Sequence, residues 1–64
     1  MLELSQLQRD DVFRFLGSPD KYHVLGTVTS VVIFVNLNNN VMQIWDRSIN
    51  FIEYELIMRN GKVL

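Results

Sequence analysis

Few residue types capable of covalent chemistry occur in this chain, and their spacing limits what they can do. His23 is the only histidine and there is no cysteine. A thiolate nucleophile, a disulfide and a cysteine-built metal site are therefore excluded, and a histidine metal site would need carboxylates to complete it. Ser5, Ser18, Ser30 and Ser48 lie in no nucleophile motif. Asp10 and Asp11 are adjacent, so in a turn their carboxylates diverge; a solvated turn explains them better than a metal pair. Glu53 and Glu55, two apart, share one face of a strand. An exposed strand face is the plainer reading of that pair. Gly17, Gly26 and Gly61 are isolated, which leaves no phosphate-cradling loop. The chain is expected to bind rather than catalyse, with no catalytic residue, no metal and no cofactor.

The residues suited to binding are few enough to name. Trp45 and Arg47 lie two apart, so a ring for stacking and a guanidinium for a phosphate fall on one strand face. Arg14 stands between Val12 and Leu16. It either snorkels from a partly apolar surface or reaches an anion. His23 reads as a surface strand residue, with a ligand contact as its second reading.

Size and charge narrow the partners. The chain has 64 residues, 48% of them hydrophobic, with six basic and seven acidic side chains and a net charge of −1. One domain spanning 1–64 is all that this length holds. Such a domain buries only about 60% of the surface of its unfolded chain, and without disulfide or metal staples self-association is the expected remedy. A basic stripe is missing, because Arg9, Lys21, Arg47, Arg59 and Lys62 are scattered and several are flanked by acids. Non-specific nucleic-acid binding is therefore not expected. The longest apolar run, 31–35, is too short to span a membrane. The N-terminus lacks a basic region followed by an apolar run, which favours the cytoplasm.

The elements that must position these residues read as mainly β. Residues 4–7 suggest one helical turn with Leu4 and Leu7 on one side, and Arg9-Asp10-Asp11 reads as a turn. Val12 to Leu16 forms a strand with Phe13 and Phe15 on one face. Gly17-Ser18-Pro19-Asp20 is a turn. Further strands follow at 22–28, bent at Gly26, at 27–36 and at 41–46. A fifth runs over 50–59, with Tyr54, Leu56 and Met58 on one face. Asn60-Gly61 is a hairpin signal, and the short return strand 62–64 would gain from a neighbour, including one in a second subunit. The expected architecture is a small five-stranded barrel or a strongly bent antiparallel sheet with one short N-terminal helical turn.

Register locates a surface. With Asn39-Asn40 as the two turn residues of the central hairpin, Leu37 pairs with Met42, Val35 with Ile44 and Phe34 with Trp45. Ile33, Val35, Leu37, Met42 and Ile44 then form a core face. Phe34, Asn36, Gln43 and Trp45 form the other. A turn at Asn38-Asn39 pairs Asn36 with Val41 and Phe34 with Gln43, mixing polar with apolar, so the first register is preferred. Phe34 and Trp45 become an opposed aromatic pair away from the main core, extended by Val32, and this patch needs a cover. The N-terminal turn, a second copy or a ligand can supply it. The candidate ligand or interface residues are Arg14, His23, Phe34, Trp45 and Arg47.

The pattern Leu4-x-x-Leu7-x-x-Asp10-Asp11-Val12-Phe13-Arg14-Phe15, then Tyr22-x-Val24 and a Val/Ile run, resembles short accessory proteins of bacteriophages and mobile elements. Those are similar to five-stranded barrels of the Src-homology type. The resemblance spans about residues 4–58, with Asp10 where a glycine is usual before the first strand, and no functional residue carries over from it. It implies an accessory role. One form is an anti-defence protein that sequesters a host nucleotide immune signal in pockets of a homo-oligomer. The alternative is a protein-interaction or structural module, an adaptor or inhibitor that binds a host protein.

Overall fold

The computed structural model describes residues 4–50, 52–59 and 61–64. A single 3-10 turn, Leu4–Gln6, precedes six strands: β1 (Val12–Phe15), β2 (Tyr22–Thr27), β3 (Val31–Asn36), β4 (Met42–Asp46), β5 (Tyr54–Arg59) and β6 (Lys62–Val63). They form one antiparallel sheet in the order β4-β3-β2-β1-β5-β6. The end strands do not pair with each other, so the sheet is not closed. Six strands at about 4.8 Å spacing in a flat sheet would give a wide, thin slab. The molecule instead measures 24 × 22 × 21 Å. The sheet is strongly bent, and its inner face becomes the core.

The bend has sequence causes. Leu25 is an extra residue in β2, where the pairing steps from Val24↔Phe34 to Gly26↔Ile33, as the glycine suggested. A second irregularity in β5 sets Leu56 opposite Phe13 and Met58 opposite Val12. Val12 and Phe13 face opposite ways, so Met58 leaves the face of Tyr54 and Leu56 on which it was expected. The expected return strand exists and pairs within the chain, with Met58↔Val63 and Arg59↔Lys62. Gly61 takes φ 75°; Asn60 of the expected turn lies outside the described residues. The strand expected over 50–59 begins only at Tyr54, and that expected over 27–36 begins at Val31.

The core is aromatic. Phe13, Phe34, Val24 and Val32 are fully buried, with Tyr22, Tyr54 and the N-terminal Leu4 and Leu7 beside them. Phe13 sits at the hub, 5.3–5.5 Å from the rings of Phe15, Tyr22, Phe34 and Tyr54. Phe15 of β1 stacks on Trp45 of β4 at 5.2 Å, although two strands separate them in the sheet. Curling alone brings these rings together.

The central hairpin corrects the expected register. Val35 stands opposite Met42, Phe34 opposite Gln43 and Val32 opposite Trp45, and the Asn36 N–H donates to the Val41 carbonyl at 2.9 Å. This is the pairing that the mixing of polar with apolar argued against. Asn36 removes that objection. Its buried side chain accepts from the N–H groups of Asn38 (2.7 Å) and Asn39 (3.4 Å) and donates to Asp20 Oδ2 (3.0 Å). Asn40 then closes the loop with φ 61° and an N–H to the Asn36 carbonyl at 2.7 Å. A slip of two residues keeps each side chain on its face, so the division between faces stands. Which face is the core is inverted. Val32, Phe34, Asn36 and Trp45 point inward, while Leu37, Met42 and Ile44 are exposed and Ile33 and Val35 half-buried. Phe34 and Trp45 still meet, diagonally, with ring centroids 5.5 Å apart. Their cover is the curled sheet itself, through Phe13, Phe15 and Tyr22.

Candidate functional site

The larger cavity, about 590 Å³, is an open groove between the N-terminal segment and the ends of β2, β4 and β5. That volume falls in the range of small-molecule pockets. Its cations are Arg9, Arg47 and Arg59, and its walls include Gln6, Thr27, Tyr54 and Leu56. A smaller hollow of about 330 Å³ beside Pro19 and Leu37 offers only Lys21 against Asp20.

Local sequence sets each arginine. Arg47 follows β4 directly, and its N–H donates to the Ser30 carbonyl at 3.0 Å, extending the hairpin by one step. Asp46 fixes the turn beyond it: its Oδ1 accepts from the Ser48 N–H at 2.8 Å and the Ser48 hydroxyl at 2.7 Å. Those bonds, the backbone one first, hold the Asp46 carboxyl below its ordinary value of 3.8. The Arg47 guanidinium then crosses to the N-terminal segment. Nη2 donates to the Ser5 carbonyl at 2.9 Å and Nη1 to the Val28 carbonyl at 3.2 Å. Nε is buried and has no partner among the described residues. Carbonyls satisfy donors but do not cancel charge, so Arg47 is a cation without a paired carboxylate there.

Arg59 is held differently. Its Nε and Nη2 donate to the two carboxylate oxygens of Asp11 at 3.2 and 2.8 Å, a bidentate pair, and Nη2 also reaches the Gln6 carbonyl at 3.1 Å. The Asp11 carboxylate raises the Arg59 pKa further above its usual range. Asp11 is fully buried and also accepts the Gln8 N–H at 2.8 Å. The solvated turn expected for Asp10-Asp11 is therefore half right. Asp10 is exposed at φ 69°, whereas Asp11 ties the N-terminal segment to β5. Arg9 is exposed and makes no ion pair with a described residue. Among the described residues, three arginines face one buried carboxylate at the groove, in a chain of net charge −1.

Of the five residues singled out in the sequence, only Arg47 lines this groove. Arg14 lies on the outer face of β1, paired with Glu55 Oε2 at 2.7 Å and donating to the Ser18 carbonyl at 3.4 Å. His23 is on the outer face of β2, its Nε2 3.3 Å from Asp10 Oδ1. Phe34 and Trp45 belong to the core, and Trp45 Nε1 donates to Gln43 Oε1 at 2.9 Å. Phe15 stacks on the half-buried Trp45 ring at 5.2 Å. Arg9, Arg59 and Tyr54 were missed. The signal for Arg59 lay in the pairing of β1 with β5: Val12 opposite Met58 sets Asp11 beside Arg59.

Among the described residues no three His, Asp or Glu side chains gather as a metal site, and no helix is long and apolar enough to cross a membrane. Comparison with protein families, with characterised proteins and with solved structures finds no match to this chain.

Proposed function

We propose that this chain is a non-catalytic binding protein that holds a small phosphate-bearing ligand, of the nucleotide class, in the arginine groove. The observation that carries this reading is the pair of cations, Arg9 and Arg47, that have no carboxylate partner among the described residues, in a groove of about 590 Å³. Guanidinium donors match phosphate oxygens in charge and planar geometry. Leu56 and the Tyr54 ring offer an apolar wall for a base or ribose, and Gln6 and Thr27 offer polar partners. The groove replaces the Trp45 surface as the place where a base would lie. Sequestration of a nucleotide immune signal in the cytoplasm, the role implied by the phage resemblance, is the biological form of this reading. It needs affinity and no turnover.

The test is thermal shift with cyclic nucleotides, ADP-ribose and pyrophosphate. A ligand at about a hundred times its Kd is expected to raise Tm by roughly 10 °C or more. Arg9→Ala, which breaks no hydrogen bond or ion pair with a described residue, is expected to weaken binding about tenfold. No shift by any of these ligands at saturating concentration sinks the proposal.

A further inference from the structure

β4 is an end strand, hydrogen-bonded only to β3. The bonds from Asn36 to Val41 and from Arg47 to Ser30 bracket its pairing. Hydrogen-bonded and non-bonded positions alternate in an antiparallel ladder, so Gln43 and Trp45 turn their main-chain groups to β3. Met42 and Ile44 turn theirs to the free edge. Natural sheets blunt such an edge with lysine, proline or an inward charge; Met42–Asp46 has none of the three before its last residue. Met42 and Ile44 are also 59% and 61% exposed, the highest values among the described large hydrophobics outside the C-terminal pair Val63 and Leu64. With Ile33, Val35 and Leu37 they form an uncharged block on the outer face. Its apolar surface is on the order of 400 Å², about half of the roughly 800 Å² per partner that a stable dimer covers.

We propose that β4 is the seam of an isologous dimer, two copies pairing antiparallel about Gln43. The edge is self-complementary in this register. Met42 N–H and C=O meet those of Ile44 in the second copy, and the symmetric pair repeats the exchange. Gln43 faces Gln43, and Asp46 falls beside the polar Asn40. A register centred on Ile44 would set the Asp46 carboxylate against Met42. The seam joins the two sheets into one and extends the Met42–Ile44 block across the two-fold axis. The proposal rests on the sheet edge rather than on the arginine groove, so either proposal can fail without the other.

Light scattering across a dilution series, with three proteins, tests this. The native chain is expected to show the dimer mass. Ile44→Lys, at an exposed position, is expected to give a monomer with unchanged circular dichroism. Gln43→Cys is expected to form a disulfide-linked dimer under mild oxidation, since opposed Cβ atoms at such a pair lie about 4.5–5.5 Å apart and the chain has no other cysteine. A native chain that stays monomeric at every concentration overturns the proposal, even if another protein occupies the face. So does an oligomer that survives Ile44→Lys, or a dimer that Gln43→Cys fails to crosslink.

Discussion

The two faces of the β3–β4 hairpin are both apolar, yet they do opposite work. The inner face carries Val32, Phe34 and Trp45, and the outer carries Ile33, Val35, Met42 and Ile44. Phe34 and Trp45 of the inner set meet aromatic rings from β1 and β2 at 5.2–6.2 Å. Met42 and Ile44 of the outer set are exposed, and Ile33 and Val35 are half-buried. Hydrophobicity therefore does not select the core here. Selection comes from ring size, because the curled sheet encloses a space that several aromatic side chains fill and aliphatic ones would leave open.

The sharpest way to break this comparison is to truncate one residue on each face. Phe34→Ala is expected to cost about 3–5 kcal/mol. A chain of this size has roughly 3–10 kcal/mol in total, so urea denaturation should find the variant unfolded or nearly so. Ile44→Ala, assayed at a concentration where the chain is monomeric, is expected to change stability by no more than about 0.5 kcal/mol. Equal costs at the two positions would erase the distinction between the faces.

A smaller effect sharpens the role of the loop. Asn36→Asp keeps the shape and the acceptor for Asn38 but replaces the donor to Asp20 with a second carboxylate. A cost of about 2 kcal/mol is expected at neutral pH, read as a lower urea midpoint with an unchanged slope. Asn36→Ser, which keeps a donor and an acceptor, should lose less.

The smallest effect lies beside the groove. Asp46 has its pKa lowered in the folded state by Ser48. Its contribution to stability is present above the ordinary value of 3.8 and is lost as pH falls through the lower folded value. Asp46→Asn is expected to flatten the acid limb of the Tm profile slightly, with little change near neutrality. A slope unaltered by the substitution would remove Asp46 from the groove's support.

Much of the fold was legible because its signals are local. Alternation set Phe13 and Phe15 on one side, Gly26 marked the bulge, and Leu4 with Leu7 marked the turn that joins the core. The choice of inner face was not legible, since both faces of the β3–β4 hairpin are apolar and alternation alone does not rank them. The hairpin register was misread because a buried Asn36 looked unfavourable until its partners, Asp20 among them, were known. Of the groove, Arg47 was visible beside Trp45. Arg59 and Asp11 stand 48 positions apart, and only the pairing of β1 with β5 joins them.

The most direct measurement is an amide NMR titration with ADP-ribose and a cyclic dinucleotide, followed residue by residue. Saturable shifts at residues 5–9, 27, 47 and 54–59, with 33–35 and 42–44 unmoved, are the expected result. Shifts confined to the outer face of β3 and β4, or none with either ligand, would contradict a binding site at the arginine groove.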